Sequence, residues 1–309
     1  SDCGTSQDDD SSRWLHLITE IAENIELPEP LQFVVQCGDE TDYQKATSVP
    51  MPFLHYTSSP EFWAVSWPSA YHSKQLFQGH LAGERSERFL VPWETKVPKV
   101  LWRGQICGPQ TSWKNSPTIS RLRLFAIADE FPQYFDVGHT GVDGDLKEQW
   151  GKKLVAEKLA RVKAKRVKGV DFEDVVPKYK YVLNVNGVTS SWRLSELLRF
   201  GSVLLLQDGI AEEHIKFELS PWKHYVPLRA DLSDLIPAIE WLHSHDEAAK
   251  AIADNAYHFF RQRLRPQDSY CFLLRTMLSF TERSQSSTST STARNTNKQT
   301  TTTITTTTT

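Results

Sequence analysis

The segment formed by residues 186–193 holds the residue types best suited to binding an anion, and it reads Asn-Gly-Val-Thr-Ser-Ser-Trp-Arg. Gly187 permits a sharp turn and a close approach of the backbone to a ligand. The hydroxyl residues at 189–191 can cap a following helix, where unpaired N–H groups and the helix dipole attract negative charge. Arg193 can hold two phosphate oxygens at once. The pattern is typical of a phosphate-binding turn; the alternative is a plain capped turn with Arg193 in a surface ion pair.

Two further arginines occupy comparable places. Arg103 lies at the end of a predicted strand, and Arg121 lies early in the next predicted helix. Ligands of open α/β sheets gather at the carboxyl ends of the strands, so both residues can face the same ligand as Arg193. Each of them alone is equally well explained as a solvated side chain. Together, the three arginines predict a site for a diphosphate.

Alternating strand and helix patterns would bring these residues to one edge of a sheet. Strands are predicted at residues 31–35, 53–56, 99–102, 179–185 and 202–206, with a further short run at 134–137. Helices are predicted at 14–21, 118–130, 146–168, 192–200, 232–243, 246–264 and 267–280. Gly201 is expected to end the helix at 192–200. Apolar runs such as residues 203–206 are typical of strands that are buried on both faces. The sequence therefore predicts an α/β fold with a parallel sheet.

Bulk composition narrows the class of protein. A net charge of −3 gives no polycationic surface, so we expect no nucleic-acid partner. No run approaches the roughly 18 apolar residues of a membrane span. The chain opens on polar and acidic residues without an initiator methionine. We interpret it as a fragment or a processed product, so that any membrane association would require a segment absent from this chain.

The four cysteines, Cys3, Cys37, Cys107 and Cys271, are widely separated and have no zinc-binding spacing. We therefore expect no metal site. The sequence is compatible with one or two disulfides and equally with buried free thiols.

Residues 284–309 are almost entirely polar, which predicts a disordered tail, either inert or O-glycosylated. The basic stretch at 146–168 is either a docking surface for an acidic partner or a solvated helix face.

An ordered series of motifs between residues 97 and 280 resembles glycosyltransferase family 90, which includes Rumi-like protein O-glucosyltransferases, O-xylosyltransferases and capsule-associated transferases. The motifs are Trp-Arg-Gly at 102–104, Arg-Leu-Arg-Leu at 121–124, Lys-Tyr-Lys-Tyr-Val-Leu-Asn-Val-Asn-Gly at 178–187, Ser-Trp-Arg at 191–193, Glu-His at 213–214 and Ser-Pro-Trp-Lys-His-Tyr-Val-Pro at 220–227. The resemblance is weak before residue 97.

The resemblance implies a GT-B-like fold with two Rossmann-like lobes, of which the first looks incomplete here. Residues 1–95 would form a partial acceptor-side lobe, and residues 96–265 the lobe that binds the nucleotide sugar. Residues 266–283 would form a helix that returns to the first lobe, before the tail at 284–309.

The resemblance also implies a donor site and a reaction. The donor-binding residues would be Arg103, Arg121, Gly187, Val188, Thr189, Ser190 and Arg193, with Glu213 at the ribose. The chain would transfer glucose or xylose from a UDP-sugar to a protein or glycan hydroxyl, with inversion and without a metal or cofactor. The UDP-sugar is then a co-substrate, and the compartment is the lumen of the endoplasmic reticulum or Golgi.

The expected catalytic base is missing from its place. The family has an Asp four residues before a Pro, and counting back from Pro68 places Ala64 in that position. Glu61 would substitute for it if the segment were helical, because the two residues would share one face. Two other interpretations remain open: the base lies elsewhere in the chain, or the protein binds a nucleotide sugar or glycan without transferring it.

Overall fold

The computed structural model describes residues 19, 21, 23–25, 33–35, 53–55, 57–58, 64–66, 90–108, 119–169, 171–191, 193–209 and 212–288. The chain divides into two compact units. The first unit comprises Ser1–Gly79, Ala211–His214 and Arg265–Thr309, and the second comprises His80–Ile210 and Ile215–Leu264. The domain boundaries that we place after residues 95, 265 and 283 stay predictions.

The strands of the described ranges are, in chain order, β1 (Val34–Val35), β2 (Phe53–His55), β3 (Thr57–Ser58), β4 (Ala64–Ser66), β5 (Val97–Ile106), β6 (Phe135–Val142), β7 (Tyr179–Asn184), β8 (Val203–Gln207), β9 (Glu212–Glu213) and β10 (Val226–Leu228). From residue 120 onward the helices are α1 (Ser120–Glu130), α2 (Gly144–Arg161), α3 (Phe172–Val175), α4 (Leu194–Leu197), α5 (Leu235–Ser244), α6 (Asp246–Arg263) and α7 (Pro266–Thr288).

The second unit is built on a five-stranded sheet with the order β10-β8-β7-β5-β6. All neighbouring strands are parallel, which confirms the predicted α/β class with a parallel sheet. Numbered from its first strand, the sheet has the order 2-1-3-4-5. The direction of winding therefore reverses between β5 and β7, and the loops after these two strands diverge.

Burial on both faces explains why these segments form strands. Every residue of β8 is buried, as a strand covered on both sides requires. One face packs on α1, α5 and α6 through a continuous cluster that includes Trp102, Leu205, Phe125, Ile239 and Ile252. In α6, buried residues recur every three or four positions, the spacing that turns one helix face toward a core.

Several predicted bounds were wrong. The predicted helix at 192–200 is α4 followed by the 3-10 turn Leu198–Phe200, although Gly201 does end it, in the left-handed region at φ 58°. The basic helix α2 contains a kink at Gly151 and ends at Arg161 instead of residue 168. Beyond this helix, Arg166 forms an isolated β-bridge with His139 of the edge strand β6. The main chain at 165–167 supplies hydrogen-bond partners for the N–H and the carbonyl oxygen of His139.

In the first unit, β1, β2 and β4 form a parallel sheet, and β3 pairs with β9 in antiparallel fashion. Each unit therefore contains a parallel sheet, as a fold with two Rossmann-like lobes requires. Helix α7 groups with this unit and continues to Thr288, past the predicted start of the tail at residue 284. The remaining tail and most of the predicted helix at 14–21 lie outside the described residues.

No helix in the described ranges is long and apolar enough to cross a membrane.

Candidate functional site

The segments that carry the residues expected to bind a diphosphate meet where the winding of the second unit's sheet reverses. Arg103 and Gly104 lie near the carboxyl end of β5, and the segment 186–193 follows β7. Arg121 is in the first turn of α1, which follows β5. The register between β5 and β6 also shifts between Gly104 and Gln105. Open α/β sheets usually bind their ligands in the crevice between the two loops at such a reversal. Here that crevice would lie between the carboxyl end of β5 and the turn at 186–193, and we call this place the crevice.

The side chain of Arg193 is held against the end of β5. Its Nε donates to Ser191 Oγ at 3.0 Å, and its Nη1 donates to the carbonyl oxygen of Arg103. The guanidinium carbon lies 5.3 Å from the centre of the Phe172 ring, within the range of a cation–π contact. The structure therefore places this cation at the carboxyl end of β5 and adds a ring that supports it from α3, while its contact with a phosphate stays a prediction.

The absence of a side chain at Gly104 leaves room for this arrangement. A Cβ atom there would lie 2.9 Å from Arg193 Nη2 and 2.9 Å from Trp102 Cζ2. Either distance is shorter than carbon atoms tolerate without displacement. Gly104 is part of the Trp-Arg-Gly motif, but the local sequence assigns it no role, because its contact with Arg193 arises only when β5 and β7 are neighbours.

Arg121 is almost completely buried and joins the ends of two strands. Its guanidinium donates to the carbonyl oxygens of Gln105 at 2.8 Å, Val185 at 3.1 Å and Asn186 at 3.1 Å. A fourth contact, of 2.8 Å, reaches Cys107 Sγ. Four of the five N–H donors of an arginine are thus directed at the chain itself. Arg121 contributes its positive charge to the crevice while it fixes the loops after β5 and β7.

Arg103 points away from the turn and pairs with Asp136 on β6. Its Nη2 lies 2.7 Å from Asp136 Oδ1, and the Tyr179 hydroxyl donates to the other carboxylate oxygen. Burial favours the protonated carboxyl, but these two hydrogen bonds outweigh it and lower the pKa of Asp136 below its ordinary value. Burial and the bond to Asp136 raise the pKa of Tyr179 to about 12. The charge of Arg103 is therefore neutralised, and its carbonyl oxygen is the group that contacts Arg193.

The turn after β7 is tight, but the helix that follows it differs from the prediction. Gly187 N–H donates to Thr189 O at 3.0 Å, and a Cβ at Gly187 would lie 3.0 Å from Arg121 Nη2. The N-cap of α4 is Arg193, without a side-chain cap, so the predicted hydroxyl cap at residues 189–191 was wrong. Ser191 Oγ accepts from Arg193 Nε instead. Residues 188–190, which include Val188 and Ser190, are half-buried beside the crevice.

Two predicted site residues belong to the first unit. Glu213 is buried and pairs with Thr57 between β9 and β3. Glu61 lies outside the described residues. The helical argument for Glu61 was wrong at Ala64, because Ala64 lies in β4 and pairs with Phe53 of β2. Successive residues of a strand alternate between faces, so the one-turn relation between positions 61 and 64 does not apply there.

Potential metal ligands are scattered. Among the residues that the structure describes, no group of three or more His, Cys, Asp or Glu side chains could hold a metal ion. Of the two cysteines in these ranges, Cys107 and Cys271, neither forms a disulfide.

Comparison with known proteins confirms the family that the motifs indicate. The sequence model of glycosyl transferase family 90 matches residues 13–307. Protein O-glucosyltransferase 3 of Rattus norvegicus is 29% identical over 279 residues, which cover 87% of this chain and 50% of the relative. Protein O-glucosyltransferase 2 of Danio rerio is 28% identical over 85% of this chain and 49% of its own length. The chain thus spans about half the length of these curated relatives.

Two solved structures can be compared with the fold. A glycosyltransferase from Rickettsia africae has a TM-score of 0.46 at 11% identity and covers 90% of this chain and 84% of its own. The pneumococcal O-GlcNAc transferase GtfA, in complex with UDP and GlcNAc, has a TM-score of 0.42 at 11% identity over 86% of this chain and 60% of its own.

Proposed function

The chain belongs to glycosyl transferase family 90, and from this premise we propose that it moves a sugar, glucose or xylose, from a UDP-sugar to a hydroxyl group of a protein or glycan. The observation that carries the proposal is the grouping of cationic side chains and a glycine turn at the carboxyl ends of β5 and β7. There a tight glycine turn, the buried Arg121 and the oriented Arg193 converge on one place. The names of the relatives as protein O-glucosyltransferases support the choice of reaction.

In this proposal the crevice holds the diphosphate of the donor. Arg193 and the N–H groups of the turn at 187–190 contact phosphate oxygens, Arg121 adds charge from beneath, and Arg103 acts through its carbonyl oxygen. Glu213 binds the ribose hydroxyls. Fixed cations and N–H groups stabilise the charge that develops on the departing UDP, which requires no metal and no cofactor.

The transfer proceeds with inversion in one displacement. A base removes the proton of the acceptor hydroxyl while that oxygen bonds to the anomeric carbon and the bond to UDP breaks. We assign this role to Glu61. The reaction takes place in the lumen of the endoplasmic reticulum or Golgi.

One observation favours a second candidate function. Ala64 stands where the family has its Asp base, and an alanine cannot accept a proton. A relative with an intact donor crevice and no base would bind a nucleotide sugar or a glycan without transferring it.

A UDP-release assay over a panel of UDP-sugars, with protein and glycan acceptors, separates the two candidates. Transfer by the wild-type protein supports the enzyme, and Glu61→Gln should then reduce it by roughly 10²–10⁴-fold, the usual contribution of a positioned base, while UDP binding persists. Transfer that survives Glu61→Gln would place the base elsewhere. A wild type that binds UDP but transfers nothing, with trace activity restored by Ala64→Asp, would establish the inactive relative.

A further inference from the structure

Gln207, the last residue of β8, makes hydrogen bonds to three separate segments around the crevice. Its Oε1 accepts from the main-chain N–H of Asn186 at 2.9 Å, and its Nε2 donates to Ser120 Oγ at 2.7 Å and to the carbonyl oxygen of Ala230. The residue is 3% exposed. Both amide hydrogens and the amide oxygen are therefore used, so this side chain has a single orientation that satisfies all its partners.

The bond to Asn186 completes the fixation of two consecutive peptide groups. In the Val185–Asn186 peptide, the N–H donates to Gln207 and the carbonyl oxygen accepts from Arg121 Nη2 at 3.1 Å. In the next peptide, the Asn186 carbonyl oxygen accepts from Arg121 Nε at 3.1 Å, and the Gly187 N–H donates to Thr189. Neither peptide plane can rotate without losing a hydrogen bond.

The Asn186 side chain reinforces the same arrangement from the β8 side. Its Nδ2 donates to the carbonyl oxygen of Asp208 at 3.1 Å. A Cβ at Gly209 would lie 2.4 Å from this nitrogen, so the residues after β8 press closely on Asn186. The end of β8 and the turn after β7 therefore form one connected unit.

A buried glutamine in this place is not needed for packing. The four preceding residues of β8 are Val-Leu-Leu-Leu, all buried, and an apolar side chain would continue that core. Burying an amide costs free energy unless each of its polar atoms finds a partner. Gln207 meets this requirement, and one of its partners is the peptide that opens the glycine turn.

We propose that Gln207 is a positioning residue of the donor site: it holds the Asn186 N–H and so orients the turn at 187–190 without touching the donor. The inference rests on the proposed function, which makes that turn the diphosphate-binding segment. Replacement of Gln207 by an apolar residue leaves the Asn186 N–H and the Ala230 carbonyl oxygen without this partner. The turn then samples other peptide orientations, and donor affinity falls.

The test compares Gln207→Leu with Ser202→Ala. Ser202 directly precedes β8, at the opposite end of the strand from Gln207, and is fully buried. Its hydroxyl donates to Tyr179 O at 2.7 Å and accepts from Lys96 Nζ at 3.3 Å, so Ser202→Ala removes buried hydrogen bonds away from the crevice. Urea unfolding measures the stability of both variants, calorimetry measures UDP affinity, and hydrogen exchange reports the amides of residues 186–190. We expect Gln207→Leu to weaken UDP binding about tenfold, which corresponds to roughly one lost hydrogen bond. Hydrogen exchange at the amides of Asn186 and Gly187 should be faster than in the wild type.

Ser202→Ala should lower stability while it leaves UDP affinity and exchange in the turn unchanged. If wild type binds UDP and Gln207→Leu binds it equally well, the inference is overturned and the proposed function stands. The inference is also overturned if both variants lose affinity in proportion to their loss of stability. A wild-type protein that fails to bind UDP refutes the proposed function, and with it the donor-site role of Gln207.

Discussion

Arg193 is the residue on which the proposed donor site depends most directly. A guanidinium presents its donors in a rigid plane, which suits simultaneous contact with neighbouring oxygens better than the single ammonium of lysine. Here that plane is fixed by Ser191, by the Arg103 carbonyl oxygen and by the Phe172 ring before any ligand arrives. A pre-oriented cation loses less entropy when it binds phosphate.

Arg193→Ala should lower UDP affinity about tenfold or more, because a charge-assisted contact of this kind contributes roughly 1.5–3 kcal/mol. Calorimetric titration with UDP measures the effect, and urea unfolding verifies that the variant is folded. Arg193→Lys is the matched control: it keeps the charge but loses the planar fork, so its affinity should be intermediate. An unaltered affinity in the alanine variant would assign Arg193 a purely structural role.

Gly104→Ala tests the same cation without changing it. The added methyl group would lie 2.9 Å from Arg193 Nη2 and from the buried Trp102 ring, so the guanidinium has to leave its position. We expect about tenfold weaker UDP binding, and a loss of roughly 1–3 kcal/mol in the free energy of unfolding from the contact with the ring.

Gly141→Ala is the control for Gly104→Ala, because a Cβ there meets no atom within 4 Å. It adds the same methyl group to the neighbouring strand β6 and should change neither UDP affinity nor stability appreciably. Weaker UDP binding in the control, or full affinity in Gly104→Ala, would contradict the packing of Arg193 on Gly104.

At the scale of elements, buried polar side chains tie together the ends of strands and turns. Lys96, just before β5, is 4% exposed and donates to the carbonyl oxygens of Pro177 at 2.7 Å and Phe200 at 3.0 Å. Burial lowers the pKa of its ammonium group from 10.5 to about 8. Lys96 thereby joins the segments that lead into β7 and β8, at the amino ends of the strands and opposite the crevice.

The lowered pKa of Lys96 predicts a pH dependence of stability. Between the folded value and 10.5 the unfolded chain binds more protons, so stability rises with pH through that window and is lost as pH falls through about 8. Relative to Lys96→Met, the wild-type free energy of unfolding should increase by about 2 kcal/mol between about pH 7.5 and about pH 9.5. Urea unfolding of both proteins checks this, since tyrosines that titrate at high pH contribute equally to both. A constant difference would show that Lys96 titrates normally in the folded protein.

The elements of the second unit were largely predictable, and the reasons differ from one to the next. Residues 203–206 form an uninterrupted apolar run, and Gly201 ends the preceding helical segment because it adopts a positive φ. β10 was not predicted, since three residues carry too little periodicity. The carboxyl end of β6 was missed because Gly138 and Gly141 interrupt its pattern, while pairing with β5 maintains the strand.

The site was predictable in its residue types but not in its contacts. The glycine turn and three arginines follow from local pattern and from the family motifs. That Arg103 pairs with Asp136, and that Gln207 binds Asn186, depends on which strands are neighbours and on their register. Those long-range pairings leave no signal in the local sequence.

At the scale of the whole molecule, the chain is a member of glycosyl transferase family 90 with two compact units, each containing a parallel sheet. It spans about half the length of the protein O-glucosyltransferases that it resembles. All the residues of the proposed diphosphate crevice lie in the second unit. Binding of UDP is therefore the first part of the proposed function to measure.

Calorimetric titration of the purified chain with UDP, in the presence of a chelator and again with added Mg²⁺ or Mn²⁺, tests whether the chain binds the donor diphosphate without a metal. Arginines and main-chain N–H groups meet the diphosphate charge in this account, so UDP should bind with the chelator present, and its affinity should change little when either metal is added. Binding that requires Mg²⁺ or Mn²⁺, or no binding under any of these conditions, would contradict it.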